Sequence, residues 1–233
     1  MNIIYRPKGA AREYAELAAN LYSGCTHGCR YCYVPSVLRR SAMDFHSAAP
    51  PRTNVLQLLQ KDIAKGVIDR VHLCFTCDPY PAEGSETTRQ ALLMFRDADI
   101  PVSILTKAGL RATWDFDLLA TMDAQFGVTL AWSSDEMRRE WEPYAAPVWE
   151  RIESLEMAKS EGIATWASVE PVIDPAQGLG AIAALLPVAD TIKVGRWNHS
   201  VEANKIDWQE FARKARAALG DHPHLFKRGL AER

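Results

Sequence analysis

The chain has 233 residues, 48% of them hydrophobic and 24% charged, with 27 Lys and Arg against 29 Asp and Glu for a formal net charge of −2. This is too apolar for a disordered chain, and its charge excludes a strongly basic nucleic-acid binder that ignores sequence. The longest nearly unbroken apolar stretch, Ala181 to Ala189, is about half a membrane span and contains Pro187; Met1 to Ala10 carries Arg6 and Lys8 without an apolar h-region, so neither an anchor nor a signal peptide is expected.

Six segments read as short buried strands, each closed by a polar turn: residues 19–24, 70–76, 101–106, 127–133, 163–169 and 190–194. Helical patterns lie between them. Thr53 or Asn54 opens a run with Val55, Leu58, Leu59 and Ile63 on one face, stopped by Gly66. Ser85 opens 88–98, Thr113 or Asp115 opens 116–122, and 148–161 stops at Gly162. A short apolar helix is expected over 181–186, and 207–219 ends at Gly220. Strand and helix thus alternate six times without a linker, the pattern of one α/β domain (1–233) with a parallel sheet and right-handed crossovers. Alternation alone does not separate a doubly wound sheet from a full or partial barrel. The lack of G-x-G-x-x-G after the first strand counts against a dinucleotide fold.

The strand ends are polar: Ser23-Gly24-Cys25, Thr76-Cys77-Asp78, Thr106-Lys107, Ser133-Ser134-Asp135, Ser168-Val169-Glu170, and Lys193 with Arg196 and Asn198. Helix capping accounts for any one of them, whereas six together indicate a shared site at the carboxyl edge of the sheet. Trp132, Trp166 and Trp197 lie near those ends and serve either the core or the stacking of a base. Arg138, Arg139, Arg196, Lys227 and Arg228 meet either phosphates or solvent.

Five cysteines are present, and three of them fall within eight residues, in Ser23-Gly24-Cys25-Thr26-His27-Gly28-Cys29-Arg30-Tyr31-Cys32-Tyr33. An odd, clustered set is no disulfide framework, so reduced thiols and a cytoplasmic location are expected. Three thiolates spaced C-x3-C-x2-C on a loop suit a 4Fe–4S cube whose fourth iron stays open. The competing reading is zinc, with His27 or His46 as fourth ligand and Cys74 with Cys77 as a second pair.

The cysteine segment, within "NLYSGCTHGCRYCY", resembles the signature of the radical S-adenosylmethionine (SAM) superfamily. With "TCDPYPAE", "ILTKAGL", "EPYAAPVWERIESLEMAKSEGI" and "SVEPVI", the chain from Asn20 to Gly195 is similar to the spore photoproduct lyase and photolyase-like branch. The resemblance implies a partial (β/α)6 barrel, a cluster held by Cys25, Cys29 and Cys32, and SAM on its open iron. It places Tyr31 near the adenine, Thr76 and Asp78 at the SAM amino group, Lys107 at its carboxylate, Ser133 at the ribose and Glu170 near the adenine edge. It also implies an electron donor such as a flavodoxin or ferredoxin, no membrane, and a nucleic-acid base as substrate, repaired or modified by a lyase or isomerase. A peptide or small metabolite, or a non-enzymatic zinc or cluster module, are the alternatives.

In that branch a second-strand cysteine returns a hydrogen atom to the product, and tyrosines flank the last cluster cysteine as Tyr31 and Tyr33 do here. The donor's position falls on Phe75. Cys77, two residues on, is expected on the same strand face, and Cys74 on the other. Cys77 and Tyr33 are therefore the catalytic candidates. The two cysteines outside the loop are too few for a second cluster.

Overall fold

The computed structural model describes residues 2–66, 69–198 and 200–230, and the last three residues of the C-terminal helix and tail expected over 206–233 lie outside them. One sheet holds eight strands in chain order: β1 (Ile4–Tyr5), β2 (Leu17–Ala19), β3 (Val71–Leu73), β4 (Val102–Thr106), β5 (Ala124–Thr129), β6 (Ala164–Val172), β7 (Thr191–Arg196) and β8 (His224–Phe226). β1 runs antiparallel to β2, and every other pair is parallel. A doubly wound sheet reverses its strand order at a switch point. This order never reverses, so the sheet winds one way into a partial barrel.

The six expected strands correspond to β2 through β7, with corrections at their ends. β2 stops at Ala19 because Asn20 turns its side chain to the amides of Phe75 and Thr76 (2.8 and 2.9 Å), and Tyr22 bridges to Pro51 instead. β5 stops at Thr129: Leu130, whose amide still donates to the Ser168 carbonyl (2.9 Å), Ala131 and Trp132 continue the apolar run as buried packing residues. β1 and β8 were not foreseen, since two or three residues show no period.

The helices α1 (Val34–Leu38), α2 (Ala42–Ser47), α3 (Val55–Ile63), α4 (Glu86–Asp97), α5 (Phe116–Leu119), α6 (Asp135–Trp141), α7 (Val148–Ser160), α8 (Pro175–Leu185) and α9 (Trp208–Leu219) fill the crossovers. α8 begins six residues earlier than expected. Asp174 caps it by accepting the amides of Ala176 and Gln177, and Pro175 suits the first turn. Gly178 hides the apolar pattern there: a Cβ would stand 3.2 Å from Val172, so glycine lets α8 lie close on β6.

Period-two alternation divides the sheet. Val71, Leu73, Val102, Ile104, Phe126, Val128, Ala167, Val169, Ile192 and Val194 face the helices and are fully buried. They pack on Leu59, Leu92, Phe95, Leu155, Ile182 and Phe211, at about 1.5–3 kcal/mol for each large side chain buried. The intervening positions, among them His72, Ser103, Gly127, Trp166, Ser168 and Lys193, form the inner wall. Trp166 fills it by lying on Gly127, where a Cβ would come within 2.4 Å of the ring. No helix among the described residues is long and apolar enough to cross a membrane.

Candidate functional site

A cavity of about 720 Å³ opens at the carboxyl ends of the strands. The loop after β2 brings Cys25, Cys29 and Cys32 to one side of it; the ends of β3 to β6 bring Cys77, Lys107, Thr129 and Glu170 to the other. The cysteine loop is fixed by packing as well as by hydrogen bonds. A Cβ on Gly24 would lie 2.0 Å from the Ala48 carbonyl oxygen, and one on Gly28, at φ +65°, would lie 2.9 Å from the Tyr144 ring, so neither position admits a side chain. The Cys25 amide donates to the Phe45 carbonyl (3.2 Å) and the Arg30 amide to that of Trp141 (2.9 Å).

Burial pushes all three thiols up, Cys25 well above the ordinary value and Cys29 to about 12. Thiolates in such a place require a neighbouring cation, and a metal cluster supplies one. The donor set therefore fits iron. Each histidine named as a fourth zinc ligand has one ring nitrogen engaged elsewhere. His46 Nδ1 is held on the Cys25 carbonyl at 2.7 Å, and His27 Nε2 lies 2.8 Å from Asp78 Oδ2. Among the described residues, no three His, Cys, Asp or Glu side chains converge on a point where one ion would sit. A cube, by contrast, takes each cysteine on a different iron.

Asp78 departs from its expected role. Oδ1 accepts from the Tyr80 amide (2.9 Å) and Thr106 Oγ1 (2.7 Å); Oδ2 accepts from the Lys107 amide (2.9 Å) and faces His27. Burial alone would raise its pKa, but His27, Thr106 and the Lys107 amide hold it well below the carboxylate range. With its acceptor positions taken, Asp78 joins the cluster loop to the end of β4 and has nothing left for an ammonium group.

Lys107 does reach the cavity, with Nζ 5.7 Å above the centre of the Tyr31 ring. Burial acts against its charge, but Cys29 and Glu142 outweigh it and raise its pKa. Tyr31 lines the same wall and donates its hydroxyl to Glu142. Glu142 is fully buried and paired with Arg151 at 2.6 Å, and Arg151 also donates to the carbonyls of Ala146 (2.9 Å) and Thr129 (2.9 Å). Burial acts against the Glu142 charge too, and Arg151 with Lys107 lowers its pKa all the same. This chain of contacts ties the cysteine loop to the end of β5. It was not visible in the sequence, where Glu142 is one of several acidic residues in and just after α6.

The other expected contacts divide. Thr76 lines the cavity. Ser133 does not: it is exposed, and its amide and hydroxyl both donate to Gln177 Oε1 (3.1 and 3.0 Å). Because β5 ends at Thr129, that residue takes the cavity position expected of Ser133. Glu170 lines the cavity but is already bound, accepting from the Tyr14 hydroxyl, Lys227 Nζ (2.7 Å) and Asn198 (3.4 Å). Tyr14, at the end of the 3-10 turn Gly9–Glu13, enters the barrel between Lys227 and Lys193, whose Nζ atoms stand 4.2 and 5.0 Å from its ring centre.

Tyr33 is 47% exposed at the mouth, where Trp197 also lies. Trp132 and Trp166 are buried in packing. Arg138 is buried on Asp135 (3.0 Å), Arg139 also reaches Asp135 (3.3 Å), and Arg196 lines the cavity with its guanidinium over Trp208. Cys77 lines the cavity as expected, and so does Cys74. The expectation that Cys74 points away assumed an unbroken strand to residue 76. β3 ends at Leu73, so alternation no longer governs the residues after it.

Comparison with known proteins agrees with this arrangement. The Radical SAM superfamily model matches residues 19–178. A protein of Methanocaldococcus jannaschii is 25% identical over 162 residues, covering 68% of this chain and 61% of its own. One of Mycobacterium tuberculosis is 27% identical over 179 residues, covering 72% of this chain and 52% of its own. The chain thus spans only half to three fifths of the length of these relatives.

Among solved structures, spore photoproduct lyase complexed with dinucleoside spore photoproduct has a TM-score of 0.71 at 14% identity, covering 95% of this chain and 80% of its own. SuiB of Streptococcus suis bound to S-adenosylmethionine has a TM-score of 0.64 at 14% identity, covering 90% and 49%. These likenesses are of fold. The superfamily match covers more than half of the chain and includes its cysteine loop, and on that ground the chain belongs to the radical SAM superfamily, whose enzymes use a 4Fe–4S cluster and SAM.

Proposed function

We propose that this chain cleaves SAM reductively and directs the resulting radical at a nucleic-acid base, in a repair or base-modification reaction of the lyase or isomerase type. The observation that carries the reading is the placement of Cys25, Cys29, Cys32 and the charged Lys107 around one cavity. When bound, the cluster and SAM supply an electron and a 5′-deoxyadenosyl radical that takes hydrogen from substrate.

The protein's own residues bind and orient. Cys25, Cys29 and Cys32 hold the cluster, and Lys107 pairs with the SAM carboxylate. Tyr31, held by Glu142, forms the wall beside the adenine; Thr76 and Thr129 offer hydroxyls. Tyr33 and Trp197 at the mouth provide faces on which a base stacks, which is worth about 1–3 kcal/mol per base. Cys77 is the candidate hydrogen-atom donor, with Tyr33 as its companion. The electron comes from a small carrier of the flavodoxin or ferredoxin kind, in the cytoplasm. The base is favoured over a peptide because this mouth is aromatic, with Arg30 and Arg196 beside it.

The test is anaerobic reconstitution followed by incubation with SAM, a strong reductant and deuterium-labelled nucleosides or oligonucleotides. Brown protein that forms 5′-deoxyadenosine carrying deuterium from the base is the expected result. A cluster that leaves SAM intact overturns the radical reading. SAM cleavage that takes no deuterium from the nucleosides or oligonucleotides, but takes it from a labelled peptide in a parallel incubation, overturns the choice of substrate.

A further inference from the structure

Two thiols in the cavity wall are not needed to hold a cluster. Cys74 and Cys77 are both free and both line the cavity, and burial first and then the neighbouring Cys77 push the Cys74 thiol up. The turn between them is fixed, because Asn20 Oδ1 accepts the amides of Phe75 (2.8 Å) and Thr76 (2.9 Å). The two sulfurs differ in access: Cys74 is 6% exposed, whereas Cys77 is half-buried and open to the cavity. A C-x-x-C pair with one accessible and one sheltered sulfur is the arrangement in which the first attacks a disulfide and the second resolves it.

We propose that Cys74 and Cys77 form a reversible dithiol–disulfide couple in the cavity wall, exchanging with low-molecular-weight disulfides of the glutathione class. The Cys77 thiolate attacks one sulfur of glutathione disulfide, forming a mixed disulfide and releasing one glutathione thiolate. Cys74 then attacks the Cys77 sulfur, forming the Cys74–Cys77 bond and releasing the second glutathione. One S–S bond breaks and one forms; two protons and two electrons pass from the cysteines to the two glutathiones. Reduced, the couple presents an S–H to the cavity from which a carbon radical can take hydrogen; oxidised, it presents none. That consequence, though not the couple itself, rests on the radical reading above.

The reconstituted protein is equilibrated anaerobically in graded mixtures of reduced and oxidised glutathione, quenched with acid, alkylated and digested with trypsin. Val71 to Arg89 contains no internal Lys or Arg, so both cysteines fall on one peptide. The expected result is conversion of the doubly alkylated peptide into an unalkylated one lighter by two hydrogens, reversed by excess reduced glutathione. In Cys74→Ser, glutathione is expected to remain on Cys77 because no thiol resolves it. A wild-type peptide that stays doubly alkylated throughout, or retains as much glutathione as the variant, overturns the couple.

Formation of 5′-deoxyadenosine from SAM in the fully reduced sample is measured alongside. Cleavage without the disulfide overturns the couple alone. The disulfide without cleavage supports the couple and overturns the proposed function.

Discussion

Lys107 and Asp78 are both charged residues at the cavity, but they do different work. Lys107 holds its charge at the cavity, where the proposed function gives it to the SAM carboxylate. Lys107→Ala should leave iron and sulfide content unchanged and weaken SAM binding about 10- to 100-fold, the loss of one charged contact of about 1.5–3 kcal/mol. Equilibrium dialysis with reconstituted protein checks this; equal affinity would move the carboxylate site elsewhere. Asp78 is spent within the fold. Asp78→Asn turns an amide NH2 toward donors that now face a carboxylate, and a loss of about 3–5 kcal/mol is expected in urea unfolding. A loss below about 1 kcal/mol would show that the carboxylate is not the anchor described.

The contact between the cysteine loop, α6 and β5 runs through one buried ion pair. Glu142 and Arg151 lie 2.6 Å apart, both fully buried, with Tyr31 on one side and the Thr129 carbonyl on the other. Glu142→Gln leaves the guanidinium uncompensated and should cost about 3–5 kcal/mol. Replacing both partners at once, as Glu142→Leu with Arg151→Met, should cost less than the sum of the single changes, because the second change removes the stranded charge. A double-mutant cycle in urea reads this directly, and additive losses would overturn it.

Several elements were legible before folding because their signals are local. α7 and α9 end at glycines 162 and 220, and α3 has its apolar stripe in sequence. β1, β8, α1 and α2 carry too few residues for a period to show. The early start of α8 was hidden by a glycine whose purpose is close packing.

At the scale of the molecule, the segment between β1 and β2 touches the segment after β8 across the open side of the partial barrel, and among the described residues β1 and β8 do not pair. Glu13 accepts the Arg228 amide (3.0 Å), and Tyr14 passes inward to Ser168 (2.9 Å) and Glu170. The inner wall beside it is polar and buried. His72 is fully buried, and its pKa is lowered to about 3 by burial first and then by the charge of Lys193. Between about pH 6.5 and pH 3 the unfolded chain therefore binds a proton that the native state refuses, so stability falls as pH falls through that window. From pH 6.5 to 5 the His72 contribution is about 2 kcal/mol. His72→Gln should remove that part of the acid slope, so wild type and variant should converge in stability on acidification. Parallel acid slopes in urea titrations at pH 7 and pH 5 would overturn the assignment.

Composition set limits on the chain, and within them the sequence alone narrowed the chemistry to a cysteine-held metal centre: three cysteines in eight residues form one ligand set without reference to anything distant, and the superfamily match made it a 4Fe–4S loop. The sequence also determined the outward apolar faces of the strands, since burial on a sheet is written every second residue. Only the tertiary structure decided which polar residues at the strand ends remain available. Asp78 is occupied by His27, Thr106 and Lys107; Glu170 by Tyr14 and Lys227; Ser133 by Gln177; and Cys74 turns into the cavity because β3 stops beneath it. A side chain's hydrogen-bonding capacity is local, but the partners that use it up come from across the fold.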